Sequence, residues 1–246
     1  MTSIDVGEGQ LPIRTELAMV VEDAWRRLTQ PGTWWGGAQR RAIAAEARNT
    51  RNCGLCRRRK DALSPYTVDG SHDDLGELHD DVVEAIHRLA SDAGRITERW
   101  VREITSSAVS EEGYVEIISI VAIITALDTF DHALGRPQRP LPAAQPGEPG
   151  RQRPKGAKRN LAWVSTLAPE DVEPSDPNPY PIHGVSNIHR ALSLVPQEVF
   201  NFFDLDVELY LGKEEFFDHE HEHRAISRAQ IELVAGRASA INGCFY

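Results

Sequence analysis

The chain has 246 residues, 41% hydrophobic and 26% charged, a composition that can fill a buried core and that excludes wholesale disorder. Its formal net charge of −10 argues against nucleic acid as the main partner, because phosphate binding draws its affinity from Lys and Arg. With three cysteines and no basic-then-apolar leader before a small-residue cleavage site, the sequence points away from a secreted disulfide framework and towards the cytoplasm.

Leu17, Val20, Val21, Ala24, Trp25 and Leu28 fall at helical spacing until Pro31-Gly32, and predict a first helix. Trp34-Trp35 follows and reads as core packing rather than a binding platform. From Gly37 to Arg59 an Ala- and Arg-rich run without proline predicts a helix that delivers Cys53 near its end, with Gly54 as a break. Val82, Val83, Ile86 and Leu89 predict an amphipathic helix, and Ile96, Trp100, Val101 and Ile104 another. Ser110 followed by Glu111 and Glu112 is an N-cap pattern opening a helix that Gly135 and Pro137 end near Leu134. Its apolar run, Ile117 to Leu127, reads as a buried helix too short to cross a bilayer, so no membrane is expected.

Eleven prolines between Pro137 and Pro181 rule out a helix or central strand there, leaving a linker or wrap-around arm. Helical spacing resumes at Ile188, continues through Leu211, and returns from Ser227 after a His-rich turn, with no alternating strand pattern in view. The expected organisation is a first unit over 1–138, a Pro-rich stretch over 139–180 and a second unit over 181–246.

Cys53 and Cys56, spaced Cys-x-x-Cys, are the strongest chemical signal, since such a pair in a reducing compartment signals redox chemistry or metal. An offset of 191 residues superimposes Ala38, Gln39, Ala44, Ala47 and Cys53 on Ala229, Gln230, Ala235, Ala238 and Cys244, which suggests an internal duplication. In the second copy Glu232 precedes Cys244 by eleven intervening residues. That spacing, with Phe245 and Tyr246 after the cysteine, resembles the Glu-x11-Cys-x-x-Cys-x3-His motif of the alkylhydroperoxidase D / carboxymuconolactone decarboxylase family.

The resemblance spans most of 15–138 and 180–246. It implies an all-α fold, usually homo-oligomeric, with no cofactor beyond a redox-active disulfide, acting on a small peroxide and recharged by a protein or thiol reductant. By the same resemblance the second cysteine of the motif attacks, the first resolves, and Glu and His relay the proton. Glu232 would then be the relay and Cys244 the resolving thiol, while the attacking position would be residue 247. Two expectations follow for the end at Tyr246: a true end or frameshift, or a UGA codon for selenocysteine read as a stop.

The first copy departs from the motif, with Arg41 in place of the Glu and Lys60 in place of the His. Arg57, Arg58, Arg59 and Lys60 crowd the cysteines with positive charge, which favours thiolate. Here Cys56 is expected to attack and Cys53 to resolve, with Glu46, His72 or His79 as substitute base; a decayed structural half is the alternative. Beside peroxidase or thiol-disulfide oxidoreductase activity stand a decarboxylase-like lyase and an inactive helical assembly protein. Cys53 and Cys56 could also hold zinc with His72 and His79. The run Asp218-His219-Glu220-His221-Glu222-His223 reads as a solvated loop rather than a metal site. Glu116, Asp128 and His132 read as structural polar groups in a buried helix rather than catalytic ones.

Overall fold

The computed structural model describes residues 3–4, 11–180, 186–212, 215, 218, 220 and 225–244. Two strands, β1 (Ser3–Ile4) and β2 (Ile13–Arg14), pair antiparallel with Ser3 opposite Arg14 and Ile4 opposite Ile13. Two residues per strand are too few to leave an alternating pattern in the sequence. The helices are α1 (Thr15–Arg27), α2 (Gly37–Asn49), α3 (Gly54–Asp61), α4 (Asp80–Asp92), α5 (Glu98–Ile104), α6 (Glu111–Ala133), α7 (Asn187–Leu192), α8 (Pro196–Leu209) and α9 (Arg228–Ile241). The architecture is all-α, as expected.

The apolar character of α6 on every side puts it at the centre. The Ser110 hydroxyl caps it by accepting the Gly113 N–H at 3.1 Å, and Gly135, at φ 68°, turns the chain out of it. With 23 residues α6 is longer than its apolar run, and by length and composition it could cross a membrane; 67% of its most apolar window is instead covered by the rest of the protein. Helices α1, α2, α4, α7 and α8 all lie against it. Ile117, Ile120, Ile124 and Leu127 of α6 share one core with Leu28, Ile43, Ile86, Leu194 and Val199, so residues from both sides of the Pro-rich stretch fill the same interior.

That stretch is strapped to the helices. Backbone N–H groups of Gln145, Gly150 and Arg151 donate to the carbonyls of Thr29, Gly32 and Thr33 at 2.8, 3.2 and 2.7 Å, satisfying groups that a helix would otherwise pair. The arm crosses the start of α2 at Gly37, where any Cβ would run into the carbonyls of Gln145 and Thr29. Further on, Lys158 and Thr166 form a short bridge, and Leu167 and Ala168 are buried.

The buried polar groups of α6 are paired with groups on other elements. Arg40 donates to both Glu116 and Glu198, the latter at 2.8 Å. Glu198 also accepts the Ser119 hydroxyl at 2.6 Å, and Glu116 accepts the Trp34 N–H at 2.6 Å. One guanidinium thus serves two buried carboxylates, and burial raises the Glu116 carboxyl despite Arg40. Asp128 takes a two-pronged ion pair from Arg48 at 2.6 and 2.9 Å, while His132 is exposed. Trp35 packs against the core and donates its indole N–H to the Gly113 carbonyl at 2.9 Å.

Candidate functional site

The helix expected to deliver Cys53 near its end, with Gly54 as a break, stops earlier. Helix α2 stops at Asn49, Thr50–Asn52 forms one tight turn, and Cys53, extended at φ −71° and ψ 121°, caps the start of α3. The cysteine pair therefore opens a helix instead of closing one. The start of α3 is held from a distance: the Gly54 N–H, which has no intrahelical acceptor, donates to the Asp73 carboxylate at 2.7 Å. At this end of the helix the dipole favours anionic sulfur on Cys53 and Cys56.

Two further segments converge on the thiols. The 62–79 connection turns at Gly70, whose φ of 146° suits glycine and brings it against Leu55 and Arg58. It then delivers His72, with Nδ1 3.4 Å from Cys53 Sγ and 3.7 Å from Cys56 Sγ. Helix α4 supplies His87, with Nδ1 3.1 Å from Cys56 Sγ. The two imidazoles lie against each other, their centroids 4.1 Å apart.

Each imidazole is anchored through its other nitrogen. His72 Nε2 is 2.8 Å from Glu84, which also receives Arg59 at 2.7 Å and the Trp100 indole N–H at 3.1 Å. His87 Nε2 is 2.8 Å from Glu46, which also receives the Asn49 side chain and the Leu75 N–H, each at 3.0 Å. An ionised carboxylate only accepts, so both Nε2 atoms carry hydrogen and both Nδ1 atoms face the sulfurs. There Nδ1 either donates a proton to a thiolate or offers a lone pair.

The electrostatics favour charge separation. Burial opposes ionisation of the Cys56 thiol, yet hydrogen bonds from His72, His87 and Ser91 bring it down to about 5. Cys53 is also lowered, against burial, by the backbone N–H groups of Cys56 and Asp73 and by His72. In turn burial lowers His72, but Cys56 and Glu84 raise it to about 10; His87 is raised by Cys56 and Glu46 against the same penalty. Glu84, against burial, is held at about 2 by His72 and Arg59. Cys53, Cys56, His87 and Glu46 are all buried, so the thiol–imidazole cluster is shielded from bulk water, and its hydrogen bonds favour thiolate and imidazolium against that burial.

The remaining candidates from the sequence lie elsewhere. His79 caps α4, accepting the Asp81 N–H at 3.2 Å, and its side chain is 63% exposed; as zinc ligand or base it is corrected by His87. Glu232 pairs on the surface with Arg228 at 2.6 Å and with the Tyr210 hydroxyl at 3.1 Å. Cys244 is exposed and free. In the His-rich run only 218 and 220 are described; His219, His221, Glu222 and His223, like Phe245 and Tyr246, lie outside the described residues. His87 and Glu84 do not stand out in the sequence; a histidine next to Ile86 in an apolar-faced helix signals a buried imidazole and no more.

Comparison with protein families, with curated proteins and with solved structures gives no match to this chain.

Proposed function

We propose that the chain is a thiol peroxidase that reduces a small peroxide through Cys56 and Cys53, within an alkylhydroperoxidase D-like, tandem-duplicated helical architecture. The observation that carries it is the relay Cys56–His87–Glu46, with contacts of 3.1 and 2.8 Å, beside a second thiol. A nucleophile, a base and a carboxylate that orients the base are the parts that thiol chemistry needs. Glu46 and His87 take the proton-relay role that Arg41 and Lys60 cannot. The duplication is supported by register: at the 191-residue offset Gly36 and Ser227 are both helix N-caps, for α2 and α9.

In the first step the Cys56 thiolate attacks the outer oxygen of the peroxide, R–O–OH. The O–O bond breaks, the sulfur becomes sulfenic acid, and the alkoxide leaves as ROH with a proton from the His87 side. In the second step Cys53 sulfur attacks the sulfenic sulfur, forming the disulfide and releasing water. The two sulfurs lie within 4.8 Å of each other, so closing the bond takes a modest local shift. An external dithiol then reduces the disulfide. The buried thiols restrict the substrate to small peroxides, and the cytoplasm would keep the pair reduced between turnovers.

The test is thiol-resolved mass spectrometry of the reduced protein after one equivalent of hydrogen peroxide. A Cys53–Cys56 disulfide is expected in the unaltered chain, and a Cys56 sulfenic acid trapped by a dione reagent in Cys53→Ser. Thiols that stay reduced under peroxide would sink the reading.

A further inference from the structure

The same four side chains carry a second chemistry. We infer that Cys53, Cys56, His72 and His87 bind one zinc ion when the thiols are reduced, and that peroxide oxidation expels it. The metal part stands on geometry alone; the expulsion step rests on the redox function proposed above.

Cys53 Sγ, Cys56 Sγ, and one nitrogen each of His72 and His87 all lie within 4.8 Å of one another. Zinc prefers four such ligands in a tetrahedron, with bonds of about 2.3 Å to sulfur and about 2.0–2.1 Å to nitrogen, which sets ligand–ligand edges of about 3.3–3.8 Å. Of the sulfur–nitrogen distances, 3.4 and 3.7 Å fall within those edges and 3.1 Å lies slightly below them. The ligands come from the start of α3, the 62–79 connection and α4, so they surround a point instead of lining a surface.

The outer partners give an independent argument. Metal-bound imidazoles characteristically donate their distal N–H to a carboxylate, which fixes ring orientation and raises ligand basicity. Here both do so, His72 to Glu84 and His87 to Glu46, each at 2.8 Å. The ligand set of two thiolates and two neutral imidazoles suits zinc over magnesium or calcium, which take oxygen. All four positions are protein ligands, which leaves no coordination site for substrate. Bound zinc would therefore slow the attack of the thiolates on peroxide without abolishing it, and loss of two thiolates on oxidation would release the metal. The exchange balances as zinc dithiolate plus ROOH plus two protons giving disulfide, zinc ion, ROH and water.

The experiment uses the full chain, reduced and stripped with a chelator, then titrated with zinc chloride or with cobalt chloride as a spectroscopic probe. We expect one zinc per chain, and a tetrahedral cobalt spectrum with sulfur-to-cobalt charge transfer. Glu46→Gln and Glu84→Gln, which keep side-chain shape, should weaken zinc affinity by about 10–100-fold, with circular dichroism checking that the helices persist. Substoichiometric zinc, or cobalt that stays octahedral, overturns the metal site. Peroxide oxidation of the stripped protein is followed in parallel. Oxidation without zinc binding overturns this inference and leaves the peroxidase reading standing; zinc binding to thiols that peroxide never oxidises, stripped or loaded, overturns the expulsion step and the peroxidase reading together. Stoichiometric zinc released by peroxide supports both.

Discussion

Helices α2 and α9 start alike and end in opposite surroundings. Each has a Gln at its third position, Gln39 or Gln230, whose side chain accepts the backbone N–H of the cap residue, at 3.1 and 2.8 Å. Yet Ile43 of α2 is completely buried, while its counterpart Val234 in α9 is 64% exposed. Arg40 of α2 sits in the core between two carboxylates, and Ile231 takes its place in α9, which has no fully buried residue. After α2 the cysteine enters a cluster with imidazoles; after α9 it stays exposed. Similar local signals set where the two helices begin, and the partners supplied by α4, α6 and α8 give the first of them its buried surroundings.

The largest expected effect is on hydrogen exchange. Amides in the middle of α2 should open only with global unfolding, worth about 5–15 kcal/mol in a typical domain, whereas those of α9 should open locally at close to zero. Equal protection in the two helices would break the comparison. Next comes Arg40→Ala, which leaves Glu116 and Glu198 buried with no cation and should cost about 3–5 kcal/mol in urea unfolding. Ile231→Ala, at the matching position, should stay within about 0.5 kcal/mol. Ile43→Ala should cost about 2–5 kcal/mol against almost nothing for Val234→Ala.

The smallest effect concerns pH. Because Cys56 is lowered to about 5 from an ordinary 9.0, it is thiolate above about pH 5 and loses reactivity only as pH falls through that value. Between pH 8 and pH 6 its alkylation rate in stripped Cys53→Ser protein should hold nearly level, where a thiol titrating near 9 would slow by about 100-fold. Iodoacetamide labelling read by mass spectrometry checks the shape of that profile, and a parallel fall would remove the thiolate from the proposed mechanism.

Most helices were legible because their signals are local: the Ser110 cap, the glycine at 135, and the apolar spacing of Leu17 to Leu28. The two cysteines and His72 were legible as chemistry. What the sequence hid was pairing at a distance. His87 lies 31 residues from Cys56 and 41 from Glu46, and nothing within α4 distinguishes it from a core histidine until α2 and α3 are packed beside it. His79 looked equally suitable in sequence but serves as a helix cap. The break expected at Gly54 falls a few residues earlier, after Asn49, and the new helix that starts at Gly54 is held by Asp73, 19 residues downstream. The crossing of the Pro-rich arm at Gly37 was hidden for the same reason.

The Arg40 ion cluster also bears on synthesis. Glu116 follows Arg40 by 76 residues and Glu198 by 158. At a ribosome rate of about 5–20 residues per second, the second carboxylate appears roughly 8–30 s after the guanidinium. For about the first half of that interval neither carboxylate exists, and for the second half the nascent chain can pair Arg40 with Glu116 but not with Glu198, leaving the α8 side of the core open to water. The interior is thus sealed from its far end, and the helices that carry the thiol pair wait for the last third of the chain before their central charge is fully enclosed.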